Sequence, residues 1–215
     1  MFCRISSLVT AVVISTVLLN AQTDTEAKKI LDKLSEKTKS YKTVEVEFTF
    51  IVDNKDQKIN ETTKGTLKMK DEKYRLLMKD QEIICNGQKV YTFNKEANEV
   101  QVIGVDELEE DAITPKNMFT IYESNFKSRI KEKKTEDGKN IAVIDLYPMN
   151  PKEKDYSIVR LFVDTDKMMV TKATVLAKNG TLYTYKIDKM VPDKEMNESL
   201  FIFDKSKYPG VTIIE

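Results

Sequence analysis

From Val44 to Asp53 the chain alternates with a period of two: Val44, Val46, Phe48, Phe50 and Val52 point one way, and Glu45, Glu47, Thr49 and Asp53 the other. Successive side chains of a strand lie on opposite faces, so this run predicts a half-buried β-strand. Shorter runs of the same kind follow. Gly65 opens a strand carrying Leu67 and Met69, and KYRLLM sets Tyr74, Leu76 and Met78 on one face. EIICNGQKVYTF, residues 82–93, reads as two strands joined by Asn86-Gly87, a pair that accepts the positive φ angles of a two-residue type I′ turn. NEVQVIGV comes next. The polar residues 54–64, NKDQKINETTK, are expected to form an exposed hairpin connection. In the second half FKSRIK, NIAVIDLYP, SIVRLFVD, MMVTKATVLA and TLYTYKIDKM read as strands, the last two joined by Asn179-Gly180. VPDKEMNESLF reads as a loop or helical turn, and FIF and VTII close the chain.

Two segments break this pattern. DTEAKKILDKLSEKTKSY, from Asp24, places Ala27, Ile30, Leu31 and Leu34 at helical spacing, with Thr23 or Asp24 as cap and Glu26 placed to reach back to Thr23. DELEEDAITPKNMFTIYESNF, residues 106–126, sets Thr114-Pro115 ahead of Met118, Phe119, Ile121 and Tyr122, which predicts a short helical insertion. The expected fold class is therefore α+β, with one antiparallel sheet of about ten or eleven strands. A sheet that wide curls or closes. The 82–93 hairpin adds a constraint, because Ile83, Ile84 and Cys85 are consecutive while Val90, Tyr91 and Phe93 crowd the other arm. Both of its faces are apolar, so one is expected to pack a core or lid and the other to line a cavity.

The first residues read as a secretory leader. MFCR is a short basic start, Ile5–Leu19 carries no charge, and Leu19-Asn20-Ala21 ends on a small residue, so cleavage is expected after Ala21. The apolar stretch has 15 residues, five of them Ser or Thr, fewer than the roughly 20 that cross hydrocarbon. No cysteine follows the cut for acylation, and Cys85 is then the one thiol left, read as a small buried strand residue. Residues 22–215 are expected to form a single exported domain. Without Arg4 the mature chain has 34 bases against 35 acids and no block of one sign, so nucleic acid is not an expected partner.

Histidine is absent, which removes His general bases, Ser-His and Cys-His pairs and the commonest zinc ligand. Asp106, Glu107, Glu109, Glu110 and Asp111 lack the glycine turn of a calcium loop and read as a solvated face. Asp164 and Asp166 read as a strand end and turn, not a catalytic pair. No enzyme activity, metal or cofactor is expected.

The order of the pieces resembles the periplasmic lipoprotein carrier family, the LolA-like proteins. The matching elements are AKKILDKLSEKTKSYKTVEVEFTF, KGTLKMKDEKYRLLM, IICNGQKVYTFN, TPKNMFTIY, LYPMNPKEKDYSIVRLFVD and FIFDKSKYPGVTII. The resemblance implies an incomplete β-barrel whose N-terminal helix and helical insertion cover a hydrophobic cavity for acyl chains. It also implies acylated lipoproteins or other acyl-chain ligands as cargo, with an inner-membrane release complex and an outer-membrane acceptor as partners of a monomer. Carried onto this sequence, the cavity set is Val44, Val46, Phe48, Phe50, Leu67, Met69, Tyr74, Leu76, Met78, Met118, Phe119, Ile121 and Tyr122. Asp71 and Glu72 stand where the family pattern has an Arg-Pro whose arginine is thought to hold the lid; Lys70, Lys73 and Arg75 are the nearby bases. A sensor of lipoproteins or other amphiphiles on the same fold is the alternative reading; such proteins commonly add an interaction domain or membrane segment, and none is read after Gln22.

Overall fold

The computed structural model describes residues 24–108, 121–123 and 125–215. The leader and most of the expected insertion, including Met118 and Phe119, lie outside the described residues. Helix α1 (Thr25–Lys39) is capped by Asp24, whose Oδ1 accepts the N–H groups of Glu26 at 2.8 Å and Ala27 at 3.3 Å. Thr23, toward which Glu26 is expected to reach, lies outside the described residues; the Glu26 carboxylate pairs with Lys133 on a neighbouring strand.

Among the described residues twelve strands form one curved, unclosed sheet, with no membrane-crossing helix beside it. The first six are β1 (Thr43–Asn54), β2 (Ile59–Lys70), β3 (Lys73–Met78), β4 (Gln81–Cys85), β5 (Lys89–Asn94) and β6 (Glu99–Gly104). The second six are β7 (Phe126–Glu136), β8 (Lys139–Pro148), β9 (Tyr156–Asp164), β10 (Met169–Ala177), β11 (Leu182–Pro192) and β12 (Thr212–Ile214). Their order is β12-β6-β5-β4-β3-β2-β1-β11-β10-β9-β8-β7, so two meanders join where β1 pairs with β11. All neighbours are antiparallel except β12, which lies parallel to β6.

The sheet departs from the sequence expectation in four places. Its twelfth strand is β12, formed because the chain returns along β6 and places Thr212 opposite Glu99. The connection expected over residues 54–64 is mostly strand: β1 and β2 pair from Thr43↔Lys70 out to Asn54↔Ile59, and only residues 55–58 turn. Backbone pairing continues past the apolar residues, so side-chain polarity does not mark the strand's end. At 86–88 a three-residue turn replaces the type I′ turn: Gly87 takes φ 93°, while the Asn86 side chain accepts the N–H groups of Gln88 and Lys89 at 2.9 Å each. Within the expected insertion the described elements are two single 3-10 turns, Val105–Glu107 and Ile121–Glu123.

The inner face carries two apolar clusters. Beneath α1, Ala27, Leu31 and Leu34 pack with Ala142, Ile144 and Leu146 of β8 and Val159, Leu161 and Val163 of β9. On β1–β5 the second cluster has Val44, Val46, Phe48, Leu67, Tyr74, Cys85 and Val90 at its base. The Cys85 thiol is buried there.

A third cluster lies on the outer face of β5 and β6 and explains the doubly apolar hairpin. Residues 198–211 cross that face and seat Tyr208 and Val211 on Val100 and Val102. Phe203 stacks on Tyr91 at 4.9 Å, and Tyr208 meets the Phe93 ring edge-on at 4.8 Å.

Candidate functional site

The register of β1–β5 aligns the inward residues into rows. Val44, Met69, Tyr74, Cys85 and Val90 are successive neighbours across the five strands, and Val46, Leu67, Leu76 and Ile83 form the next row. A third row holds Ile187, Phe48, Gly65 and Met78. Thus Val44, Val46, Phe48, Phe50, Leu67, Met69, Tyr74, Leu76 and Met78 share one face because each is an even step along its strand.

Burial divides these residues into a floor and a surface. Val44, Val46, Phe48, Leu67 and Tyr74 are buried, whereas Phe50, Met69, Leu76 and Met78 are half-buried. Ile83, Ile103, Ile187 and Met190, which were not in the sequence-derived set, add half-buried apolar surface to the same cluster. Their alternation was present in the sequence, but only the β1–β11 pairing shows that Ile187 and Met190 adjoin Phe48 and Val46. Three methionines, Met69, Met78 and Met190, border this surface; an unbranched thioether adapts to irregular apolar shapes.

Tyr122 is placed elsewhere, in the cluster beneath α1. Burial pushes its phenol well above the ordinary value. Beside it, Ser35 donates to Glu123, and Lys39 pairs with Glu123 at 2.7 Å, tying the 121–123 turn to the helix. An open groove of about 630 Å³ follows this side of α1, lined in part by Leu31, Ser35, Tyr122 and Phe126. Ile121 begins that turn, and its side chain lies outside the described part.

The bases near the family's Arg-Pro position all serve the C-terminal segment. Asp71 and Glu72 form the turn between β2 and β3, Asp71 with φ 51°. Lys70 and Lys73 both reach Glu198, at 2.5 and 2.6 Å, and together they hold its carboxyl down to about 2. Arg75 points to the outer face, pairs with Glu82 at 2.5 Å and donates to the Leu200 carbonyl at 3.2 Å. Glu82 Oε2 in turn accepts the Tyr208 hydroxyl at 2.9 Å. Burial and that hydrogen bond push the Tyr208 phenol up to about 12. The network fastens residues 198–208 behind the apolar site.

Among the described residues no group of three or more His, Cys, Asp or Glu side chains is placed to hold a metal ion. The chemistry the inner face offers is apolar contact, with phenol hydroxyls at its margins.

The sequence pattern described as "Outer membrane lipoprotein carrier protein LolA" matches residues 39–204. No curated protein matches the chain in sequence. In three dimensions the chain is similar to a conserved protein of Thermus thermophilus, with TM-score 0.60 and 7% identity over 88% of this chain and 98% of that one. It is also similar to the lipoprotein LppX of Mycobacterium tuberculosis, with TM-score 0.51 and 10% identity over 81% of this chain and 99% of that one. A LolA superfamily protein of Nitrosomonas europaea aligns with TM-score 0.44 and 13% identity, over 82% and 97% of the two chains. At these identities the structural likeness concerns the fold alone. With more than half of its length matched by the family pattern, the chain belongs to the LolA family of outer membrane lipoprotein carrier proteins.

Proposed function

We propose that this protein is a periplasmic carrier that holds the acyl chains of lipoproteins on the inner face of β1–β5 and passes them from the inner to the outer membrane. In this reading the leader is removed after Ala21, and no cofactor or catalytic step is used. The inner-membrane partner is a release complex, and an acceptor stands at the outer membrane. The observation that carries the proposal is the half-buried apolar surface of Phe50, Met69, Leu76, Met78, Ile83, Ile187 and Met190 above a fully buried floor, in a chain of this family.

The physical need is large. Each methylene exposed to water costs about 0.8 kcal/mol, so a chain of roughly 16 carbons costs on the order of 12 kcal/mol in free solution. A lipid-bearing protein therefore does not cross an aqueous compartment unaided at a useful rate. A surface that only covers the chain along one side still removes much of this cost.

The test is uptake of a fluorescent fatty acid by two variants. Met78→Asp puts a charge on the inner face, while Leu77→Asp puts one on the opposite face, where Leu77 is already 41% exposed. Loss of uptake by folded Met78→Asp, with retention by Leu77→Asp, is the expected result. Uptake by Met78→Asp at the wild-type level would reject the proposal.

A further inference from the structure

The inner face has two unlike ends. At one, Tyr74, Cys85 and Val90 are buried neighbours across β3, β4 and β5, so the apolar surface is closed there. At the other it opens through a row of aromatic rings. Phe50 of β1 lies opposite Tyr185 of β11, and Val52 opposite Tyr183. The Phe50 ring is 4.7 Å from that of Tyr185 and 6.2 Å from that of Tyr183, stacked parallel to the latter. All three are half-buried. On the other side of β1 the same rows continue into Thr63 opposite Phe50 and Glu61 opposite Val52, so the face turns from apolar to polar within these two rows.

Neither Tyr183 nor Tyr185 has a hydrogen-bond partner for its hydroxyl among the described residues. A tyrosine ring with an apolar body and a donor tip suits a boundary between hydrocarbon and polar groups. An acyl ligand has such a boundary at its ester carbonyls, which accept hydrogen bonds but cannot donate them.

We propose that the Tyr183–Phe50–Tyr185 ledge is the head-group end of the acyl site, where the two phenols donate to the ester carbonyls of a glyceryl diester while the chains run toward the closed Tyr74–Cys85 end. The inference rests on the carrier reading and adds to it an orientation and a ligand class. A phenol is protonated at neutral pH, and burial raises that of Tyr185 further. The glyceryl diester occurs both in the diacylglyceryl cysteine of lipoproteins and in phospholipids, and the ledge recognises what they share.

Binding of three probes to wild type and to Tyr183→Phe/Tyr185→Phe tests this: N-phenyl-1-naphthylamine, which has no ester; a synthetic lipopeptide with S-diacylglyceryl cysteine; and a short-chain diacyl phosphatidylglycerol. The double variant is expected to bind the naphthylamine as wild type does and the lipopeptide about tenfold more weakly. An equal loss for the phospholipid supports recognition of the shared diester; a loss for the lipopeptide alone supports recognition of the lipoprotein diester in particular. In wild type, Cζ resonances of labelled Tyr183 and Tyr185 are expected to shift with lipopeptide and not with the naphthylamine. Unchanged lipopeptide affinity in the variant, or a parallel loss of the naphthylamine, overturns the ledge while leaving the carrier reading in place. Wild type that binds none of the three overturns both.

Discussion

The Phe48 ring lies across Gly65, its partner on β2, where a side chain on residue 65 would have to be. The glycine gives up a side chain so that the aromatic ring can lie flat on the floor of the inner face. A Cβ at 65 would also meet the Leu77 carbonyl oxygen at 3.0 Å, leaving little room to shift. Gly65→Ala is expected to cost about 1–3 kcal/mol by overpacking, and Phe48→Ala about 3–5 kcal/mol through the cavity it leaves. In urea denaturation the double variant is expected to lose clearly less than the sum, because removing the ring removes the clash. Additive losses would mean that the two residues do not compete for one space.

Two buried phenols, Tyr74 on the inner face and Tyr208 in the outer-face strap, give an alkaline prediction. Tyr74 and Tyr208 are each pushed up to about 12 from 10.0, burial being the largest cause for both and the Glu82 hydrogen bond adding to it at Tyr208. The native state thus holds these protons more tightly than the unfolded chain. The stability they contribute is complete below pH 10 and lost as pH rises through about 12. Tyr208→Phe is expected to lower stability at pH 7 by about 1–3 kcal/mol, since Glu82 keeps only Arg75. It is also expected to reduce the alkaline loss between pH 10 and 12, followed by circular dichroism in urea.

The same strap has an acid-sensitive clamp. Glu198 is held at about 2 against an ordinary 4.5 by hydrogen bonds from Lys70 and then Lys73. A lowered carboxyl contributes stability above about pH 4.5 that is lost as pH falls toward 2. Protection factors of the amides over residues 198–214, corrected for the intrinsic exchange rate at each pH, are expected to fall across that window in wild type. In Glu198→Gln protection is expected to be lower already at pH 7 and to change less on acidification. The same acid response in both proteins would show that the clamp lies elsewhere.

Much of this architecture is legible in the chain because its signals are local. Val44 to Phe50 alternate strictly, and Ala27, Leu31 and Leu34 keep helical spacing, so β1 and α1 follow from neighbouring residues. What depends on distant partners was not legible. Glu82 and Tyr208 are 126 positions apart, and nothing near either one announces that the C-terminal segment covers the second apolar face of the hairpin. Arg75 has the sequence context of a surface residue, and its half-buried place against Glu82 and the Leu200 carbonyl follows from that cover. The polar start of β2 was missed because its ladder with β1 uses backbone groups, which residue type does not report. Within the site, the β1–β3 residues converge by register alone. Ile187 and Met190 join them only through the pairing of β1 with β11, and the Tyr183–Tyr185 ledge arises in the same way. Tyr122 has the same apolar signature as the β1–β3 residues, yet packs under α1, because the turn that carries it is tied to that helix through Ser35 and Lys39.

Methyl spectra of methionine-labelled protein with a spin-labelled stearate test the central claim most directly. Met69, Met78 and Met190 border the inner face, whereas Met149 is 59% exposed and belongs to none of the three apolar clusters, so it reports indiscriminate contact. The account predicts that the Met69, Met78 and Met190 methyls broaden at stoichiometric lipid while Met149 stays sharp. Broadening of Met149 with the other three unaffected would contradict it, as would four unperturbed signals at saturating lipid.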